Sequence, residues 1–421
     1  LTIYSANCLE RNPKEQPPPL FIAMAGSIIC DLPEGALVEI FSWLPPESLM
    51  RFKCVSKSWY ALINSVIKNP EFVNKHLHNV NTISSSSTSS LVFCCVSFAY
   101  CRHPKMESLR QRLFKVVTVF HDHHNEWNSR NFVRERFRLP TLPSELNLAH
   151  AKRSHCNGII CLAQGETIVL CNPAIMEWRT LPKPCLDNNG FIPLGVVFGY
   201  DSRANDYKVV RFEHYRLLRD QVEYFKIGAE VYSLRSDSWK EVGIQLELDR
   251  FPHVGEEVFC KGVFYWFVWT HDIIVSFNMF DEVFHSIPLP DDLIVVTRKG
   301  HSAQLAVWNN SVALFLFKQE KAVTKSIQVW ATDDCSGGVN GSCSWIKKLT
   351  ITPPVDVAFP LAFLKNDELL MQAATKTFIL YNIRSQMIRE LSFMEVPRSS
   401  VDWDYSYVKS LLSVHGGTQP R

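Results

Sequence analysis

Asp31-Leu-Pro-Glu-Gly-Ala-Leu-Val-Glu-Ile-Phe-Ser-Trp-Leu-Pro45-Pro-Glu-Ser-Leu-Met-Arg-Phe-Lys-Cys-Val-Ser-Lys-Ser-Trp59-Tyr-Ala-Leu-Ile63 is the stretch that decides how this chain is read. Leu32, Ala36, Leu37, Ile40, Phe41 and Leu44 recur at helical spacing and predict one apolar stripe. Pro33 suits a first helical turn, where its missing N–H is not needed. Pro45-Pro46 end that helix, because proline cannot donate within it and restrains the residue before it. Leu49, Phe52, Val55, Trp59, Leu62 and Ile63 form a second apolar series. Two or three short helices in about forty residues bury too little surface to stand alone. The stripe therefore calls for a partner.

Working outward, residues 1–23 carry Pro17-Pro18-Pro19 and no periodicity, and Met24 reads as the start, with 1–23 as translated upstream sequence. Leu20–Ala25 has the look of a secretory core but is short and runs at once into the helical stretch. Residues 24–78 are expected to hold the helical motif and a following helix. Residues 79–90, with the Ser84–Ser90 run, read as a polar linker, 91–415 as a β-rich domain, and 416–421 as a tail.

The β region repeats. Cys171, Tyr232, Phe277 and Tyr381 are followed seven residues on by Trp178, Trp239, Phe284 and Ile388. Trp330 is followed by Trp345, the extra eight residues being the turn-rich Asp333–Cys343 insertion. Leu181, Val242, Ile287 and Leu391 lie three further on, and Leu349 four. Turn pairs Asn157-Gly158, Asn205-Asp206, Lys261-Gly262, Asn310-Ser311 and Asn366-Asp367 each precede an apolar strand. Units spaced 45 to 61 residues apart (171, 232, 277, 330, 381) have the length of four-stranded propeller blades. Residues 91–150 would give a sixth, irregular blade, and Ser406–Val414 a strand closing the ring. The expected fold is mainly β with a small N-terminal α motif: three helices, then a propeller of about six blades. Sandwich-like packing of the repeats is the alternative.

Two sets of residues carry a family resemblance. Leu32-Pro33, Ile40, Leu44-Pro45, Ser48-Leu49, Arg51-Phe52, Cys54-Val55, Lys57 and Trp59 resemble the F-box. Cys156–Cys161, Asn172-Pro173-Ala174, Phe198–Asp201, Tyr207–Val210, Val231-Tyr232 with Ser238-Trp239, and Ile327–Trp330 with Ser344-Trp345 resemble the plant F-box-associated region. Ser48–Val55 is similar to the S-locus F-box group and to other plant F-box proteins. The resemblance implies a substrate-recognition subunit of a Skp–cullin–F-box ubiquitin ligase. Its adaptor-binding residues would be Leu32, Pro33, Ile40, Leu44, Pro45, Leu49, Val55 and Trp59. Cullin and RING subunits would follow through the adaptor, and the β domain would take a target protein. The S-locus likeness implies a style ribonuclease in pollen self-incompatibility. General stress- or hormone-related turnover, a propeller enzyme, and a non-ligase scaffold remain the alternatives. The chain itself is expected to need no catalytic residue and no cofactor, and to work in cytosol or nucleus.

Specificity should lie where the units differ in length and charge. Three segments do: Arg102–Arg138, with nine basic residues against four acidic, His214–Ile227, and Asp333–Cys343. Candidate target-binding residues are Arg102, Arg110, Arg112, Arg134, Arg136, His214, Tyr215, Asp333 and Asp334. A net charge of +2 over 421 residues gives no bulk attraction for nucleic acid. No run of eighteen apolar residues suggests a membrane helix; Gly262–Phe277 comes nearest and is broken by His271-Asp272. His121-Asp122-His123-His124 offers at most two converging imidazoles on a strand, so no metal site is expected. Thirteen cysteines without a C-x-x-C read as reduced and buried, Cys156 and Cys161 among them. Trp266 and Trp269 read as core anchors.

Overall fold

A computed structural model describes residues 32–86, 92–100, 113–122, 132–138, 146, 151–186, 191–219, 222–244, 247–249, 252–320, 323–332, 344–364, 367–375, 377–391 and 407–415. The chain divides into two compact units, Leu1–Asn79 and Val80–Arg421.

The first unit is helical: α1 (Glu34–Phe41), α2 (Pro46–Phe52), α3 (Lys57–Val66) and α4 (Pro70–Ser86). Pro33 is the N-cap of α1 and Pro46 opens α2 as its first residue, where a missing N–H costs nothing. Ser56 caps α3, its Oγ accepting from Trp59 N at 3.2 Å. Leu37, Phe41, Leu49, Ile63, Val66, Phe72 and Val73 form the buried set. The expected linker at 79–90 is overturned over residues 79–86, which continue α4; residues 87–90 lie outside the described ones. The Asn69 side chain accepts from Glu71 N at 2.8 Å, and Asn79 Nδ2 donates to Ser42 Oγ at 2.9 Å. A helix so nucleated and anchored extends cheaply, even through the weak formers Asn81, Thr82 and Ser84.

The sheets of the second unit are antiparallel. β1 (Val92–Tyr100), β2 (Leu113–Asp122) and β3 (Phe132–Arg138) make a three-stranded sheet, the irregular first blade. β4 (Lys152–Cys156), β5 (Ile159–Gln164), β6 (Thr167–Asn172) and β7 (Glu177–Thr180) make the second. The third comprises β8 (Phe191–Asp201), β9 (Asp206–Arg219), β10 (Val222–Ser233) and β11 (Ser238–Val242), with short β12 (Glu247–Leu248) beside β10. The fourth holds β13 (Val254–Cys260), β14 (Val263–Val268), β15 (Ile273–Asn278) and β16 (Val283–Pro288), and is followed by helix α5 (Asp291–Arg298). β17 (Ser302–Trp308), β18 (Ser311–Glu320), β19 (Val323–Thr332) and β20 (Trp345–Ile351) form the fifth. β21 (Val357–Phe363), β22 (Glu368–Ala373), β23 (Phe378–Asn382) and β24 (Ile388–Leu391) form the sixth. The last two are joined through the single pair Thr324↔Val357.

Burial separates a propeller from a sandwich. In a sandwich each sheet keeps one wet face. Here the third sheet buries both: Val209 and Tyr232 pack with Leu170 of the second, while Val210 and Phe212 pack with Trp266 of the fourth. The fourth likewise shares Phe267 and Ile274 with Leu314 of the fifth, which shares Phe315 and Val329 with Met371 of the sixth.

The seven-residue repeat has a simple cause. Cys171↔Trp178, Tyr232↔Trp239, Phe277↔Phe284 and Tyr381↔Ile388 are direct partners across each third-to-fourth-strand hairpin. The fifth copy slips: Trp345 faces Thr332 and Trp330 faces Lys347, with a bulge between Val329 and Trp330. The third-strand member is buried in four sheets, whereas Trp178 is 45% exposed on its edge strand. Two further expectations are corrected. The β17–β18 turn is Asn309-Asn310, both in the left-handed region, one residue earlier than Asn310-Ser311. Residues 407–415 form no strand; they lie against the second sheet through side chains.

Candidate interaction surfaces

The expected single stripe on α1 splits into two faces. Leu37 and Phe41 turn inward, while Ile40 (46% exposed) and Trp43 (48% exposed) stay at the surface, three residues apart. Leu32, Val55 and Tyr60 are exposed apolar residues of the same unit. Five large exposed hydrophobics on so small a unit are the candidates for a docking surface, because water is a poor neighbour for them. Trp59 is half-buried, edge-on to Phe41 and Phe52 at ring-centroid distances of 5.3 and 5.5 Å.

Among the sequence-based adaptor candidates, Leu32, Pro33, Ile40, Pro45 and Val55 are exposed, and Leu44 and Trp59 are half-buried. Leu49 is wholly buried and offers no surface, so its part is to hold the helices together. Trp43 and Tyr60 were missed. The signal for Trp43 was present: it lies seven residues after Ala36 and three after Ile40, one helical face.

The docking face is braced from behind by α4. His76 Nε2 donates to Leu44 O at 2.8 Å, Asn79 Nδ2 to Ser42 O at 3.2 Å, and Lys75 pairs with Glu39. The first two contacts satisfy carbonyls just past the C-terminal end of α1, which its own helix cannot. Burial holds the His76 imidazolium below its usual range.

In the β unit the strands have two ends. At one, second strands pass to third and fourth strands pass to the next sheet. At the other, first pass to second and third to fourth. The His214–Ile227 excursion is a hairpin at the first end: β9 runs 14 residues and β10 runs 12, paired without interruption from Ser233↔Lys208 to Val222↔Arg219. His214 is 1% exposed, opposite Ile227 and Ile192, with the Phe225 ring 5.6 Å away. It is therefore corrected from contact residue to packing residue. Tyr215 shares its strand, and its side chain lies outside the described residues.

β19 ends at Thr332, at the opposite end of its sheet; Asp333–Cys343, with Asp333 and Asp334, lies outside the described residues. So do Arg102, Arg110 and Arg112. Arg134 and Arg136 sit on β3 opposite Phe120 and Thr118. His121 and Asp122 end β2, and His123 and His124 fall beyond the described residues.

The first end carries surface the sequence did not reveal. Trp269 is 53% exposed rather than a core anchor, and Val295 on α5 is 49% exposed. His271 Nε2 lies 3.0 Å from Asp249 Oδ1, and Arg298 Nη2 lies 3.2 Å from Asp272 Oδ2, fastening loop and helix. Behind them Arg211 Nη1 donates to Glu230 Oε1 at 2.7 Å and Arg211 pairs with Glu213, all three residues fully buried. Glu230 Oε2 accepts from Cys185 N and Leu186 N at 2.8 and 3.2 Å, pinning the β7–β8 connection beside the hairpin. Burial pushes the Glu213 carboxyl up to about 6, against the pull of Arg211.

Three cysteines of the β unit are unsuited to act as nucleophiles. Burial pushes the Cys156 and Cys171 thiols up to about 12 and Cys161 further up, so none supplies thiolate. The described residues hold no group of three or more potential metal ligands and no helix long and apolar enough to cross a membrane.

A small helical unit with an exposed apolar face, followed by a bladed β domain with exposed end loops, has the make-up of a two-part interaction protein. The chain belongs to the F-box-associated β-propeller family: the F-box associated beta propeller domain matches residues 106–414 and the F-box domain residues 29–70. It is similar to F-box/WD-40 repeat-containing protein 1 of Arabidopsis thaliana, 24% identical over 98% of this chain and 96% of that protein. It is also similar to F-box protein CPR1 of the same plant, 23% identical over 87% of this chain and 86% of the relative. A solved 6-phosphogluconolactonase-like protein of Bacteroides fragilis aligns over 76% of this chain and 99% of its own at 10% identity. Its TM-score of 0.34 is too low to weigh.

Proposed function

We propose that this protein is the target-recognition subunit of a Skp–cullin–F-box ubiquitin ligase. The observation that carries the reading is the exposed Ile40–Trp43 face on an F-box whose core is separately filled by Leu37, Phe41 and Leu49. The adaptor takes that face, and cullin and RING subunits follow through the adaptor. The propeller holds a target protein at the end formed by the β9–β10 hairpin, the Trp269–Asp272 loop and α5. The chain supplies proximity, raising the effective concentration of target lysines near activated ubiquitin. It contributes no catalytic residue and no cofactor, and its place of work is the cytosol or nucleus.

A style ribonuclease is the finer target reading, and it rests on the S-locus likeness of Ser48–Val55. Pollen-restricted expression together with capture of that ribonuclease would support it; general turnover is the competing reading, with F-box relatives in Arabidopsis thaliana spanning nearly the whole chain. One experiment tests the main proposal: capture of a purified Skp-type adaptor by the full chain, followed by identification of co-purifying proteins from plant extract. Failure to hold the adaptor under conditions where the protein is folded would overturn it.

A further inference from the structure

The chain's end is held by a mechanism unlike the strand pairing of the sheets. Residues 407–415 run without strand pairing, yet Tyr407, Leu411 and Val414 are buried at 1%, 2% and 0% exposure. Their seat is the corner of the second sheet at the end where β4 turns into β5 and β6 into β7. Asn172 Nδ2 donates to Ser410 O at 3.1 Å and to Leu412 O at 2.9 Å. Ser410 Oγ donates to Asn157 O at 2.6 Å. Glu177 Oε2 accepts from Ser413 Oγ at 2.7 Å and from Val414 N at 3.2 Å. Gly158 has no spare room: a Cβ there would stand 2.4 Å from Val408 O.

Side chains fixed on strands and turns therefore read the backbone and hydroxyls of a short segment, while Val414 enters the apolar cluster of Leu170 and Leu181. That is how a peptide site is built. A ladder would accept almost any sequence, whereas this seat asks for two serines three apart with apolar residues between and after them.

We propose that this corner is a peptide-binding seat, occupied in cis by residues 407–415 as a clamp, and open in trans to a free peptide of the same pattern when the clamp is weakened. The buried hydroxyl of Ser410 is the anchor. The half-buried Ser413 is the weak point, because a negative charge on it would face the Glu177 carboxylate.

The test uses the full chain. Ser413→Glu is expected to lower the melting temperature by several degrees and to speed amide exchange at least tenfold in 407–415 and β7. Adding Glu177→Gln to it should recover at least half of both losses, since it removes the repulsion and leaves an acceptor. A labelled peptide of residues 407–415 should bind Ser413→Glu at least tenfold more tightly than the wild type, whose seat is filled. Should Ser413→Glu fail to fold, Ser413→Ala serves instead, with a two- to threefold faster exchange of the clamp and measurable peptide uptake. Unchanged exchange, absence of rescue by Glu177→Gln, or equal peptide binding by variant and wild type would each overturn the proposal.

Discussion

Arg211 and Glu230 are direct register partners on β9 and β10, 2.7 Å apart and sealed from water, in a sheet whose neighbouring positions are valine and phenylalanine. Glu213 shares the same guanidinium, so these three residues set two carboxylates against one cation. Desolvation of such a group costs more than Coulomb attraction returns unless its hydrogen bonds are complete. The return here is positional: Glu230 fixes two amides of the β7–β8 connection.

Removing the cation should therefore be far worse than removing the surplus charge. Arg211→Leu is expected to destabilise the β unit by roughly 3–5 kcal/mol, the usual cost of stranding a buried charge. Glu213→Gln should raise the melting temperature at pH 7 to 8 and change it little at pH 4.5. The Glu213 carboxyl titrates near 6 when folded, above its ordinary 4.5, so folding holds the proton and stability declines as pH rises through 6. Thermal melts of both variants across that range decide it.

His155 should produce the opposite slope. Burial lowers its imidazole from 6.5 to about 4 in the folded protein. The unfolded chain binds the proton first, so stability falls as pH drops from 6.5 toward 4, by at most about 1.4 kcal/mol per pH unit for one group. His155→Gln should flatten that acid limb in urea titrations at pH 7, 6, 5 and 4.5. An unaltered limb would show that other groups set it.

The docking face and its core should separate cleanly by mutation. Ile40→Asp with Trp43→Ala is expected to weaken adaptor binding at least tenfold while far-UV circular dichroism stays as in the wild type. Burying one large apolar side chain gains roughly 1.5–3 kcal/mol. Leu49→Asp should instead lose helical signal, because it places a charge where no water reaches. Calorimetric titration with the adaptor and dichroism of each variant make the comparison.

Gly262 tests the hairpin turns. It lies at φ +84°, and a Cβ there would come 2.3 Å from the Phe280 ring. Gly262→Ala is expected to cost at least about 1 kcal/mol from backbone strain alone. Gly243→Ala, with nothing within 4 Å, should be neutral. Paired melting curves check both.

Target choice should follow one end of the propeller. Replacing the outer part of the β9–β10 hairpin, from Arg216 to Phe225, should change the co-purifying target while adaptor binding persists. Replacing Asp333–Cys343, which follows the far end of β19 at Thr332, should leave that target in place. The reverse pattern, read by quantitative mass spectrometry of captured proteins, would move recognition to the other end.

Sequence alone determined the elements whose cause is local. The helical docking motif follows from apolar spacing between Pro33 and Pro45, and the blades follow from turn pairs such as Asn157-Gly158 and Lys261-Gly262. The recurrence of Trp178, Trp239 and Phe284 follows from hairpins of equal length. Each of these is written in residues a few positions apart. What only the tertiary structure decided depends on partners far along the chain. Helix α4 outruns its own weak propensity because Asn79 is tied to Ser42. His214 is buried because the lengthened hairpin sets it opposite Ile227 and beside the Phe225 ring. Trp269 is exposed because its loop is fastened to Asp249 and α5, not folded inward. Residues 407–415 make no strand because their seat, 238 residues earlier at Asn172, offers side chains where an open backbone edge would be needed. Long-range contacts of this kind leave no period in the sequence, since neither partner's neighbours constrain where the other will be found.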